Sequence, residues 1–274
     1  MSPLPKTLFL GERIRVEQKG PGVLCLVLAR PELRNAFDPL MVEELCRCLT
    51  DLAALPPAEL RVLLLVGDGK AFCAGADLAY MRGQADQSLE ANLADARRLG
   101  ALLQQVAAFP APVLCGVQGA AVGGGFGLVA CADVVVAHPS AIFALSEVRL
   151  GIVPAVISPF VVRKLGLAHA GPLMLSGRRL EAAEAISCGL IHKLVATDST
   201  LDATLDEGLA ELLEAGPEAA RRTKALLLRE IPLPDAALAE YTAHAIAEAR
   251  CTQEARAGFQ AFFAKAPAPW SGRS

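Results

Sequence analysis

What this chain lacks narrows its function first. No apolar run in its 274 residues is fit to cross a bilayer. The longest, Val113 to Ala132, is broken by six glycines and Gln118 and closed by Asp133. The opening Met1-Ser2-Pro3-Leu4-Pro5-Lys6 has no charged stretch followed by an apolar core. No secretory leader is therefore expected, and a cytoplasmic location is. An excess of one charge is missing too: 26 Lys and Arg face 29 Asp and Glu, a net charge of −3. That balance gives neither nucleic acid nor an anionic membrane surface an electrostatic footprint. The four histidines form no H-x-x-x-H pair and no cluster with carboxylates, so no metal site is expected. None of the eight cysteines has the C-x-x-C spacing, and most sit in apolar segments, as reduced thiols of a cytoplasmic protein do. No serine stands in a G-x-S-x-G elbow, which argues against hydrolase chemistry of that kind.

What is present is enough chain for one large domain, or for a domain with a helical appendage. Arg13 to Gln18 alternates like a half-exposed strand, and Val23 to Ala29 reads as a buried one after the Gly20-Pro21-Gly22 turn. Asp38 and Pro39 mark the start of a helix running to Ala54. Strands follow at Val62 to Val66, Val113 to Val117 and Val134 to Ala137, with helices from Ser88 to Ala108 and from the glycine-rich turn to Ala132. This alternation predicts an α/β domain over residues 1–198. Residues 199–274 read as helices over 201–214, 217–229 and 235–264, ending in an aromatic stretch that packs on its own core or on a neighbouring subunit.

Three segments carry candidate chemistry. In Ala71-Phe72-Cys73-Ala74-Gly75-Ala76-Asp77-Leu78 the chain is almost bare of side chains. It is either a tight turn, with Asp77 capping a helix from Leu78 to Arg82, or a place where a ligand touches the backbone. Gly123-Gly124-Gly125-Phe126-Gly127 fits the dinucleotide fingerprint poorly, because no G-x-G follows a first strand near the start. Three glycines before an apolar helix do allow its first N–H groups to face an open cavity, where the helix dipole favours negative charge. Two backbone amides aimed at one point make an oxyanion hole. Glu147, in apolar company, is either paired with Arg149 or Arg163, or held with a raised pKa for proton transfer.

In their order and spacing, the segments A-F-C-A-G-A-D-L, G-A-A-V-G-G-G-F-G-L-V-A-C-A-D and F-A-L-S-E-V-R-L-G-I-V-P-A closely resemble the enoyl-CoA hydratase/isomerase (crotonase) superfamily. The resemblance extends over nearly the whole chain, from Arg30-Pro31 and Arg34-Asn35-Ala36 through Glu181 to Leu190 and Lys224 to Phe262 to Trp270. It implies an α/β fold of repeated ββα units, with a C-terminal helical region that assembles homotrimers or dimers of trimers. It implies an acyl-CoA substrate, with no cofactor beyond the coenzyme A of that substrate. Ala76 and Gly124 fall at the family's oxyanion-hole positions, and Glu147 at its proton-transferring carboxylate. Ala74, Asp77, Leu78, Gly123 and Gly127 fall along the expected acyl and CoA channel, and Lys265 near the CoA phosphates, although Ala266 replaces the usual following arginine. Gly127 also stands where two-glutamate hydratases carry their other glutamate. A single-glutamate site suits an isomerase, or a hydratase that manages water with Glu147 alone; a non-catalytic acyl-CoA binder is the third reading. The wording around the site resembles a bacterial subgroup acting on methylglutaconyl-CoA and related branched, carboxylated enoyl-CoAs, for whose carboxylate Arg82, Arg149 and Arg163 are candidate partners.

Overall fold

The computed structural model describes residues 6–84 and 87–271; the N-terminal stretch read for a leader falls almost wholly outside them. The chain begins with β1 (Lys6–Leu10), β2 (Ile14–Gly20) and β3 (Val23–Leu28), paired antiparallel. Helix α1 (Pro39–Ala53) starts where the sequence signals it: Pro39 is the first helical residue, and Asp38 Oδ1 accepts from the Met41 N–H at 2.8 Å. After β4 (Val62–Gly67) come α2 (Leu78–Gln84) and α3 (Leu89–Ala107), the latter capped by Ser88. Next are β5 (Val113–Val117), β6 (Ala120–Val122), α4 (Gly124–Cys131), β7 (Val134–Ala137) and β8 (Ile142–Ala144). A 3-10 turn over Glu147–Leu150 leads to α5 (Ser158–Ser176), β9 (Arg179–Glu181), α6 (Ala182–Ser187) and β10 (Lys193–Leu194). Four helices finish the chain: α7 (Leu201–Leu213), α8 (Pro217–Glu230), α9 (Ala236–Arg250) and α10 (Gln253–Phe263).

The strands form a seven-stranded sheet in the order β1-β2-β3-β4-β5-β7-β10 and a three-stranded sheet in the order β6-β8-β9. From β3 to β10 the large sheet is parallel, and β3 and β5 are buried throughout, as continuous apolar runs with both faces covered must be. The small sheet positions the site. Parallel pairing of β6 with β8 sets Ala120 against Ile142 and Val122 against Ala144, so the glycines after β6 emerge beside the residues after β8.

Several expectations are refined. The helix read over 235–264 is two helices, because Thr252 Oγ1 accepts from the Ala255 N–H at 3.1 Å and starts α10 afresh. Glu147 opens the 3-10 turn. Residue 198 separates strands from helices without separating two cores: Ala243, Ile246, Ala255 and Phe259 pack in the cluster that holds Phe72, Phe126 and Phe143. Lys224, on α8, is buried and donates to Asp133 Oδ2 at 2.6 Å, which ties the C-terminal region to the loop before β7. Among the described residues no helix is long and apolar enough to cross a membrane.

Candidate active site

Two short segments are laced together before any side chain enters. The Cys73 N–H donates to Ala120 O at 2.9 Å, and the Val122 N–H donates to Cys73 O at 3.0 Å. On the other side, Phe37 donates to Gly75 O at 2.7 Å and accepts from the Asp77 N–H at 2.8 Å. Because Phe37 takes the residues on either side of Ala76, the N–H of Ala76 points the other way. It donates to no backbone acceptor among the described residues. The N–H of Gly124, first residue of α4, is likewise without a helical partner, as the opening amides of any helix are. Both residues line one cavity of about 720 Å³. The arrangement requires glycine at Gly123, whose φ of 53° and ψ of −119° suit no side chain. A Cβ there would also lie 3.1 Å from Glu147 Oε1.

Backbone pairing brings the carboxylate there. Gly123 donates to Ala144 O at 2.9 Å, and Glu147, three residues on, turns back over Gly123 in the cavity that Ala76 and Gly124 line. Its Oε2 is buried and has no hydrogen-bond partner among the described residues. Burial pushes its pKa up to about 7, against the opposing pull of its own backbone N–H and of the Arg250 guanidinium. The paired alternative is not what the chain adopts. Arg149 Nε donates to Ser176 O at 3.1 Å, and Arg163 Nε donates to Ile231 O at 2.9 Å. An acid poised near neutrality, in one cavity with the orphan amides of Ala76 and of Gly124 at the N-terminus of α4, can move a proton while the amides hold a developing oxyanion.

Of the other residues expected in the channel, Ala74, Leu78 and Gly123 do line the cavity. Asp77 does not. Its Oδ1 accepts from the N–H groups of Ala79 and Tyr80 at 2.8 and 3.1 Å, and its Oδ2 pairs with Arg30 at 2.9 Å, so it caps α2 and anchors Ala76. Gly127 is a second correction: it lies within α4 on a face turned to the core, where a Cβ would come within 2.7 Å of Ile157 and 3.1 Å of Leu103. Hydrocarbon thus fills the place of a second carboxylate. Lys265 is exposed in the turn after α10, outside the cavity wall, although Ala266 and Ala268 beside it reach that wall. Arg82 lies over the ring of Phe263, 4.5 Å from its centre.

Some site residues escaped the sequence reading. Asn35, fully buried, donates to Asp68 O and Ala71 O, both at 2.9 Å, and accepts from the Arg30 N–H at 2.8 Å. It thereby fixes the approach to the 71–78 segment. Its signal was the R-P…N-A loop itself. Arg34 lines the cavity, and Tyr80, Asp95 and Arg250 form a charged group in its wall. No local pattern marks these last three. Among the described residues no three His, Cys, Asp or Glu side chains come together as metal ligands.

Comparison with known proteins agrees with this geometry. The family model described as enoyl-CoA hydratase/isomerase matches residues 18–273. Human enoyl-CoA hydratase domain-containing protein 2, mitochondrial, is 36% identical over 228 residues, covering 80% of this chain and 76% of that protein. The crystal structure of an enoyl-CoA hydratase from Shewanella pealeana is 38% identical, with a TM-score of 0.75, over 94% of this chain and 96% of that one. Pseudomonas aeruginosa AtuE is also 38% identical, with a TM-score of 0.77, over 95% of this chain and 100% of its own. With two orphan amides, a buried carboxylate and a match along nearly its full length, this chain belongs to the enoyl-CoA hydratase/isomerase family.

Proposed function

We propose that this protein is a hydro-lyase that adds water reversibly across the α,β double bond of an enoyl-CoA thioester. The observation that carries the reading is Glu147, buried beside Gly123 with one unpartnered oxygen and a pKa near neutrality. The N–H groups of Ala76 and Gly124 bind the thioester oxygen and polarise the conjugated system, so that the β-carbon becomes electrophilic. Ionised Glu147 takes a proton from water as the water oxygen bonds to the β-carbon. The electron pair of the double bond moves to the α-carbon and thioester oxygen, giving an enolate held by the two amides. Glu147 returns the proton to the α-carbon, and the carboxylate is restored.

The preferred acyl group in this reading is branched and carboxylated, of the methylglutaconyl type, as in leucine and acyclic terpenoid breakdown. Ala74 and Leu78 flank the pantetheine arm, and Arg34 and Lys265 supply cations for the CoA phosphates. The assembly is a cytoplasmic trimer or a dimer of trimers. Exposed Leu226, Leu227, Ile231 and Tyr241 on and beside the C-terminal helices support such an association.

One observation favours a second reading. Gly127, walled in by Ile157 and Leu103, offers no second carboxylate at that position, and Glu147 alone suffices for an isomerase shuttling a proton between carbons. Incubation with 3-methylglutaconyl-CoA, crotonyl-CoA and a 3-enoyl-CoA, with products weighed by mass spectrometry, separates the two. Gain of one water on the first supports the hydratase; migration of the double bond at constant mass supports the isomerase. No change on any of the three leaves acyl-CoA binding alone.

A further inference from the structure

The wall of the acyl cavity contains a charged group that the mechanism above does not use. Tyr80 on α2, Asp95 on α3 and Arg250 at the end of α9 meet there. Both carboxylate oxygens of Asp95 are engaged: Oδ1 accepts from the Tyr80 hydroxyl at 2.5 Å, and Oδ2 accepts from Arg250 Nη1 at 3.0 Å. The guanidinium is not. Among the described residues it makes that one hydrogen bond, although the group has five N–H donors, and its Nε is buried without an acceptor. Its side chain is 11% exposed, and the neighbouring wall is hydrocarbon from Met81, Ala96, Leu99 and Ile246.

A cation in such surroundings is costly unless oxygens complete its shell. Asp95 and Tyr80 hold its position and leave the shell incomplete. The field of Arg250 also reaches Glu147, where it favours the anion, so guanidinium and carboxylate serve the same cavity. The arginines singled out from the sequence leave this place open. Arg163 is turned to Ile231, Arg82 covers Phe263, and Arg149 donates to Ser176.

We propose that Arg250, held by Asp95 and Tyr80, binds a carboxylate carried by the acyl chain, so that the site selects dicarboxylic acyl-CoA thioesters over neutral ones of equal length. This rests on the acyl-CoA reading of the cavity given above. A guanidinium with free donors gives a carboxylate a charge-assisted, geometrically matched contact that a methyl-terminated chain cannot make.

Calorimetric titration of the full chain with glutaryl-CoA and pentanoyl-CoA tests it. Both are saturated and cannot be hydrated, so selectivity is read without turnover. Glutaryl-CoA is expected to bind at least about 10-fold more tightly, as a charge-assisted hydrogen bond allows. In Arg250→Met the ratio of the two Kd values should fall to within about 3-fold of unity, and Arg250→Lys should restore part of it. Equal affinities in the unmodified protein, or a ratio unchanged by Arg250→Met, overturn the assignment. If Arg250→Met does not fold, the unmodified ratio and Arg250→Lys decide. Glutaryl-CoA preference without hydration of any enoyl-CoA sinks the hydratase reading and leaves Arg250 assigned. Absence of binding by both thioesters sinks both.

Discussion

At the scale of the residue, the proposed chemistry turns on where Glu147 keeps its proton. Burial penalises its anion, so the acid titrates at about 7 rather than near the ordinary 4.5 of a glutamate. The proposed cycle starts from the ionised form in both directions. The value of kcat/KM should therefore rise with pH through an apparent pKa near 7, in a pH profile measured at subsaturating substrate. The same shift has a sign for stability. Between about pH 4.5 and 7 the folded protein holds a proton that the unfolded chain has lost, so stability falls as pH rises through that window and then levels. Glu147→Gln removes this slope, and its gain over the parent in urea melts should grow from near zero at about pH 4 to up to about 3 kcal/mol at about pH 8. Its turnover should fall by about 10²-fold or more while CoA-thioester affinity, read by calorimetry, persists. Turnover close to the parent's would remove Glu147 from the mechanism.

Elements carry the next layer, because α4 decides whether a second carboxylate can stand at position 127. It packs Gly127 against Leu103 of α3 and against Ile157, just before α5, closely enough that no methyl group fits unmoved. Gly127→Ala should cost about 1–3 kcal/mol in denaturant melts through overpacking. Gly127→Glu should lose more and gain no rate, since its carboxylate must first displace Ile157 and Leu103. A faster Gly127→Glu enzyme would show that the cavity can open there. This layer was partly legible in advance. Asp38-Pro39 and Ser88 announce their helices because a cap needs only a few adjacent residues. The resemblance alone pointed to Ala76 and Gly124, while the bareness of the 71–78 and 123–127 segments around them was legible because small residues leave a local mark. The short strands β6 and β8 and the 3-10 turn of Glu147 were not, because pairing between distant segments sets them. Tyr80, Asp95 and Arg250 left no trace either: Asp95 and Arg250 lie 155 positions apart in the chain and meet only once α9 lies on α3.

On the scale of the whole molecule, the C-terminal helices close the site. Two glycines let α10 approach the Glu147 turn backbone to backbone. A Cβ on Gly258 would lie 2.2 Å from Leu150 O, and one on Gly151 would lie 2.7 Å from Glu254 O. Phe259 is buried in the main core, and Ile246, Arg250, Phe259 and Phe262 all line the cavity. A chain ended after Thr252 should therefore lose acyl-CoA binding in calorimetry and melt at lower temperature, rather than leave an intact catalytic half.

A reaction run by Glu147 alone also leaves an isotopic signature. If Glu147 both takes a proton from water and delivers it to carbon, the oxygen on the β-carbon and the hydrogen on the α-carbon descend from one water molecule and arrive on one face. Run backwards on a hydroxyacyl thioester doubly labelled with deuterium and oxygen-18, the enzyme should release both labels in step, with deuterium leaving no faster than oxygen. A second, solvent-connected base would wash the deuterium out first.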